Sequence, residues 1–350
     1  MSTPPQYQLD DPAIAERYVR HGLERLGFPS EHAQVHYVDA GIMNYVYRAE
    51  VPERTFYLKQ ALPRVKQHDR LGPDLAGVSP ARIGAEYRAL ILVAEDPHVP
   101  LWGIVPRPVW YDDLNNVLWT DEILPGAVSL QSELQAGLFD PQLANIAGHL
   151  IAAIHAASLG AVPPLWPSAD EDHANWRRFL RMRTTGVLRQ SDLPVSAQEA
   201  THQLAREAQE HERSGMLSHL DLAPKNVLVS RTAEINPIGI LDFELGAAVS
   251  DPAYDLGFLV GHLLLMGANL PAMAAEAQGA AYMVVVGYQM ITPLEIDDDW
   301  DDRVNRYAGL TMLYRLYGSS PAPYLDPTRY AAIREQGLRL LLREARVTSP

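Results

Sequence analysis

Three side chains with hard oxygen donors stand close together in the middle of the chain. Asp221 and Asn226 share the stretch His219-Leu220-Asp221-Leu222-Ala223-Pro224-Lys225-Asn226, and Asp242 closes the next apolar run, Ile238-Gly239-Ile240-Leu241. Asp221, in a loop, can accept a proton from a substrate hydroxyl. Asn226 follows on the same loop at the mouth of a strand, and Asp242 lies at the end of the strand paired with it. Two oxygen ligands at adjacent strand ends suit a hard cation such as Mg²⁺ held against phosphate oxygens. The chemistry such a set can carry is phosphoryl transfer.

That chemistry needs elements that grip phosphates from the other side. Val35-His36-Tyr37-Val38 and Tyr45 to Val51 read as two strands, joined through Gly41, Ile42, Met43 and Asn44. Backbone N–H groups near Gly41, with Asn44, can close over phosphates; in isolation the same stretch reads as a hairpin turn. Phe56-Tyr57-Leu58-Lys59-Gln60 is a third strand with one lysine among apolar neighbours. Lys59 can reach phosphates or snorkel from a strand edge. A helix follows, capped by Ser79 and started by Pro80, with Ile83, Leu90 and Val93 on its apolar face. Glu86 lies on this helix and pairs with Lys59 in the reading adopted here; Arg82 or solvent is the alternative. The polar loop between them, 64–78, is expected to be mobile and to cover the site.

The remaining chain divides into strands and then helices. Asp10 or Asp11 caps a helix over 10–27 that ends at Gly27. Strands are expected at Val105 to Tyr111 and Asn116 to Thr120, and Pro125-Gly126 marks a boundary. From Asp140-Pro141 the pattern is helical, with His149 and His155 as core histidines; Trp166 to His173 reads as a loop, and helices as Trp176 to Met182 and Ala197 to Arg213. Asp255 opens an apolar helix that runs to about Met266, where its carboxylate suits the helix dipole and can also hold the catalytic loop. The acidic run 295–302 reads as the solvated start of a last helix carrying Arg315 near its end, which suits the dipole or contacts phosphate or substrate.

Bulk properties exclude several classes. The chain has 350 residues, a net charge of −14 and no cysteine, so disulfides and thiolate metal sites are out and a basic nucleic-acid footprint is not expected. The start lacks a basic and apolar leader, and no apolar run reaches membrane-spanning length. A cytoplasmic protein that binds neither nucleic acid nor membrane is the expectation. Oligomeric state is open, with a homodimer as one option.

With Lys59, Glu86, Asp221, Asn226 and Asp242 in view, the chain resembles the aminoglycoside phosphotransferase and choline kinase superfamily over roughly residues 35–320. The motif around Asp221, followed by Leu241-Asp242-Phe243-Glu244 and Asp251-Pro252-Ala253-Tyr254-Asp255-Leu256, carries the resemblance. Leu220 departs from it, because these kinases usually have glycine there. The resemblance implies an α+β, bilobal protein-kinase-like fold, with a small antiparallel-sheet N-lobe over 1–124 and a mostly helical C-lobe over 125–350. It implies ATP and Mg²⁺ as cofactors. Asp221 would be the catalytic base, and Asn226 and Asp242 the metal ligands. Lys59, Glu86, Gly41 and Asn44 would hold the nucleotide phosphates, and the backbone at Glu122 and Ile123 would bind the adenine. His219, Lys225, Glu244, Asp255 and Arg315 would contact substrate or support these groups.

Within the superfamily, Gly41 to Tyr47, Lys59 to Val65 and Met312 to Gly318 are similar to methylthioribose kinases. Tyr314 stands where those have the first of two arginines, and Phe243 where they have proline. The expected acceptor is therefore a hydroxyl of a small metabolite, methylthioribose or a related sugar. Aminoglycoside, choline-like and homoserine-like acceptors are the alternatives. An inactive binding protein is disfavoured because all five positions are filled. A protein kinase is disfavoured because Asp251 follows Asp242 too soon for a long activation segment.

Overall fold

The computed structural model describes residues 7–39, 41, 43–63, 66, 79–157, 163–190 and 192–347. The first helix, α1 (Pro12–Arg25), is capped by Asp11, whose carboxylate accepts from the N–H groups of Ala13 and Ile14. Then come β1 (Gln34–Val38), β2 (Tyr45–Val51), β3 (Arg54–Gln60), α2 (Arg82–Glu95), β4 (Pro108–Asp112) and β5 (Val117–Asp121). The five strands form one antiparallel sheet in the order β1-β2-β3-β5-β4.

The alternation of β3 decides what each face does. Phe56 and Leu58 turn to the fully buried side, where α1 covers them with Tyr18, Val19 and Leu23 against Val117 and Trp119. At Gly22 the helix approaches Trp119 so closely that a Cβ would lie 2.3 Å from its ring. Lys59 points to the opposite face, the side of α2. Burial of the apolar face therefore fixes the direction of Lys59 on the central strand.

Beyond the sheet the chain is mainly helical. It continues with β6 (Val128–Ser129), α3 (Leu130–Gln135), α4 (Pro141–Ala156), α5 (Ala169–Leu188) and α6 (Val195–Glu210). Short strands follow: β7 (Arg213–Ser218), β8 (Val227–Val229), β9 (Ile238–Ile240) and β10 (Ala247–Ser250). The chain then runs through α7 (Ala253–Asn269), α8 (Ala274–Ile291), α9 (Trp300–Tyr317) and α10 (Tyr330–Leu341). Helix α7 is buried along nearly its whole length, between α8 and α9. This is the mixed α+β, protein-kinase-like architecture expected from the sequence.

Several local expectations need correction. The second helix begins at Arg82 with no side-chain cap; Ser79 instead accepts from Ala81 N–H in the turn before it. Residues 170–173 are the first turn of α5, not a loop, because Ser168 caps that helix and its acidic residues suit the dipole. The strand expected from Val105 starts at Pro108, with an irregular register before Trp110. The loop 64–78 lies outside the described residues except for Lys66, as do Ala40 and Ile42. Among the described residues no helix is long and apolar enough to cross a membrane.

Candidate active site

Strand β7 ends at Ser218, paired with β10, and β8 starts at Val227 in a separate sheet with β6 and β9, so the loop over 219–226 carries the chain from one sheet to the other. Leu220 takes a left-handed conformation there, with φ of 63°, although its side chain is buried. Asp255 makes this tenable. Its two oxygens accept from His219 N–H at 2.8 Å and Leu220 N–H at 2.9 Å. His155 Nε2 lies 3.2 Å from the same carboxylate, and its Nδ1 meets the Tyr288 hydroxyl at 3.0 Å. Burial would push the Asp255 carboxyl up, but the His155 and His219 contacts outweigh it and hold it below the usual range.

His219 ties the loop to the next strand. Its Nδ1 accepts from Asp221 N–H at 3.2 Å, so the ring hydrogen sits on Nε2 and is donated to Leu241 O at 2.8 Å. Asn226 Nδ2 donates to the Asp221 backbone oxygen at 2.8 Å and to its Oδ2 at 3.3 Å. Lys225 Nζ stands 3.3 Å from Asp221 Oδ2, half exposed, and this charge raises its pKa. On the other oxygen, Arg183 Nη2 donates to Oδ1 at 3.3 Å. Asp221 therefore has a cation on each side.

The hairpin of β8 and β9 pairs Val227 with Ile240, and Leu241 N–H reaches Asn226 O at 2.8 Å. Asn226 and Asp242 thus leave adjacent strand ends, as the spacing predicts. Asp242 has a φ of 72° and bonds Lys59 Nζ directly. Lys59 Nζ also reaches both oxygens of Glu86, at 3.0 and 2.9 Å. Of the partners weighed for Glu86, Lys59 rather than Arg82 or solvent is the one bonded to it. Two carboxylates raise the Lys59 pKa far above that of a free lysine, against the opposing effect of burial. Burial lifts Glu86 to about 7 despite Lys59, whereas Lys59 and Lys225 overcome burial at Asp242 and hold it at about 2.

A second buried network joins the loop before β2 to the turn after Asp242. Asn44 Nδ2 donates to Glu244 Oε2 at 2.6 Å, and Arg82 Nε bonds both Asn44 Oδ1 and Glu244 Oε2, at 3.3 and 3.2 Å. Arg82 Nη2 also donates to Met43 O at 3.3 Å. Gly41 has a φ of 79°, a conformation that favours glycine, and Lys66 Nζ lies 3.5 Å from its carbonyl. Glu122 N–H donates to Thr55 O at 3.0 Å, and its carboxylate accepts from Arg48 at 3.3 Å; Ile123 follows it out of β5. Arg315 donates from Nη1 to Ser320 Oγ at 3.0 Å, on the turn after α9. Among the described residues its bonds go to Ser320 and not to Asp221 or Asp242.

Two functional candidates escaped the sequence reading. Arg82 enters the sequence reading only as an alternative partner for Glu86, and nothing in the sequence separates Arg183 from the other arginines of α5. Neither has a spacing signal that singles it out.

Likeness to solved proteins agrees with this geometry. The fold matches the GDP complex of an aminoglycoside 2′-phosphotransferase-IIIa at 16% identity, covering 94% of this chain and 97% of that one, with a TM-score of 0.51. A choline/ethanolamine kinase family protein from Mesorhizobium loti matches at 18% identity over 93% and 99% of the two chains, TM-score 0.51. A microcompartment-associated aminopropanol kinase matches at 17% identity over 95% of each, TM-score 0.52. No curated protein matches in sequence. Residues 35–294 match the phosphotransferase enzyme family, APH. A match over most of the chain, on a fold of this kind, makes the protein a member of the phosphotransferase enzyme family.

Proposed function

We propose that this phosphotransferase moves the γ-phosphoryl group of ATP to a hydroxyl of a small metabolite. The observation that carries the reading is Lys59 Nζ, bonded at once to Glu86 on α2 and to Asp242 at the end of β9. That contact joins the sheet to the loop holding Asp221 and Asn226. In this reading Asp221 takes the proton of the acceptor hydroxyl as its oxygen bonds to the γ-phosphorus and the bond to the β-phosphate oxygen breaks, leaving ADP. Lys59, oriented by Glu86, binds nucleotide phosphates. Asn44 and the backbone at Gly41 cover them, held by Arg82 and Glu244. Glu122 and Ile123 line the adenine side, between an N-terminal part over 1–124 and a C-terminal part over 125–350.

The donor set fits Mg²⁺. Asn226 commits its Nδ2 to Asp221, which leaves the carboxamide oxygen for a cation, and Asp242 adds a carboxylate kept ionised by Lys59 and Lys225. Bound there with the nucleotide, the cation would neutralise phosphate charge.

The similarity of Gly41 to Tyr47 and Lys59 to Val65 supports methylthioribose or a related sugar as acceptor. The named neighbours support aminoglycosides and amino alcohols, and a GDP-bound neighbour makes GTP a second donor to test. The test is release of ADP or GDP by the purified chain with Mg²⁺ and a panel of hydroxyl acceptors. Stimulation by an acceptor, lost in Asp221→Ala, supports the reading; no stimulation by any acceptor, with Asp221→Ala indistinguishable from wild type, removes it.

A further inference from the structure

We propose that the hydroxyl acceptor carries an anionic group, a carboxylate or a phosphate ester, and that Arg183 selects it. The inference rests on the phosphotransfer reading of Asp221 and concerns the chemistry of the molecule placed beside it.

Arg183 comes from α5, and its side chain is only 3% exposed. Its guanidinium carbon lies 3.7 Å from the centroid of the Phe258 ring, 5.1 Å from Tyr254 and 6.0 Å from Tyr314. A cluster of aromatic faces is the usual receptor for an ammonium ligand. Here the protein's own cation already fills it, one hydrogen bond from the proposed base. An amino alcohol or aminoglycoside would have to displace Arg183 or face its charge.

The same guanidinium has donors to spare. Its Nε and Nη1 are buried with no partner among the described residues, and so is Nε of Arg315. Unpaired buried N–H groups are costly, and in a native structure each calls for a reason. An arriving oxyanion supplies one, because a guanidinium matches a carboxylate or phosphate in charge and fork geometry. Lys225 on the other oxygen of Asp221 adds to the positive field. The nearby His262 ring is kept well below its usual range, by burial first and then by Arg315 and Arg183.

Three carboxylates of the acidic run are held by the protein's own side chains. Asp297 pairs with Arg303, Asp301 accepts from Gln289 and Asp302 pairs with Arg343.

The test uses the full chain with Mg²⁺ and ATP and follows ADP release with compounds sorted by charge. Glycerate and other hydroxy acids form one arm, glycerophosphate and pentose phosphates a second, glycerol and ribose a third, and aminopropanediol, choline and kanamycin a fourth. One anionic arm should exceed the neutral and cationic arms in kcat/KM by about tenfold or more, and which anionic arm responds identifies the group. Arg183→Met should raise the acceptor KM about tenfold with the ATP KM unchanged, and should admit choline or aminopropanediol as the ring cluster empties. Arg183→Lys should recover part of the anionic preference, and Arg315→Met offers a second variant should Arg183→Met not fold. Cationic or neutral acceptors prevailing on the wild type would overturn the acceptor class and leave phosphotransfer intact, and an unchanged anionic preference in both Met variants would overturn the selection by Arg183. Silence of every arm, in a protein that still binds ATP, would overturn both.

Discussion

The carboxylate of Asp255 accepts from the backbone N–H of Leu220 at 2.9 Å, and this bond lets a buried leucine stand where the backbone is left-handed. A non-glycine residue in that region costs roughly 1–2 kcal/mol. Asp255 offsets it by ordering two successive amides and a histidine. Asp255→Ala leaves those donors buried without an acceptor. It should lower unfolding stability by on the order of 3 kcal/mol, read by urea titration, and abolish turnover by letting the Asp221 loop relax. Leu220→Gly should relieve the backbone but lose buried apolar surface, so it should be net destabilising while turnover survives.

Asp221→Asn keeps the shape of the loop and removes the base. Turnover with the best acceptor should fall roughly a hundred- to ten-thousand-fold, while the affinity for the nucleotide, measured by calorimetry, changes little. Equal losses in kcat and in nucleotide binding would assign Asp221 to the phosphate site instead.

The parts of this site that could be read from the sequence are local. Asp221, Asn226 and Asp242 sit at the ends of two strands joined by a hairpin, so chain spacing alone brings them together. Lys59 and Glu86 could be matched because Lys59 is one lysine among apolar neighbours on its strand and Glu86 lies mid-helix, where the lysine–glutamate pair of the resembled kinases would place it. Arg183 could not be matched. Helix α5 also carries Arg177, Arg178 and Arg181, and which arginine turns inward depends on the rings of Tyr254 and Phe258, which are distant in sequence. Arg82 is similar, since its partners lie on the loop before β2 and beyond Asp242. The fold shows the same limit. Helix α8 buries one stripe but carries apolar residues such as Met283, Val286 and Met290 outside it, so its periodicity is weak and the sequence does not single it out.

Gly22 is a test of the fold that should spare the chemistry. A methyl group there would meet the Trp119 ring at 2.3 Å and force α1 away from the sheet. Gly22→Ala should cost about 1–3 kcal/mol by overpacking, outweighing the gain in helix propensity. Thermal unfolding should register it. Since Lys59 lies on the opposite face of the sheet, the KM for ATP should move little at a temperature where the variant is folded.

Lys59 also predicts two pH dependences of opposite sign. The Glu86 carboxyl, raised by burial to about 7 from an ordinary 4.5, holds a proton in the folded state that it has lost in the unfolded one. The folded chain therefore binds more protons between those values, and Glu86 makes stability fall as pH rises through that window. Asp242, held at about 2 against an ordinary 3.8, does the reverse. The unfolded chain binds more protons there, so the contribution of Asp242 is complete above pH 4 and is lost as pH falls toward 2. Each effect is on the order of 2 kcal/mol. Denaturant titrations of wild type, Glu86→Gln and Asp242→Asn across pH 2 to 8 should separate them. The Glu86→Gln curve should gain on wild type as pH rises from 4.5 to 7. The Asp242→Asn curve should lie below wild type above pH 4 and converge with it in acid. If the difference curves are flat in both windows, burial does not raise Glu86 and Lys59 does not hold Asp242 down in the folded chain.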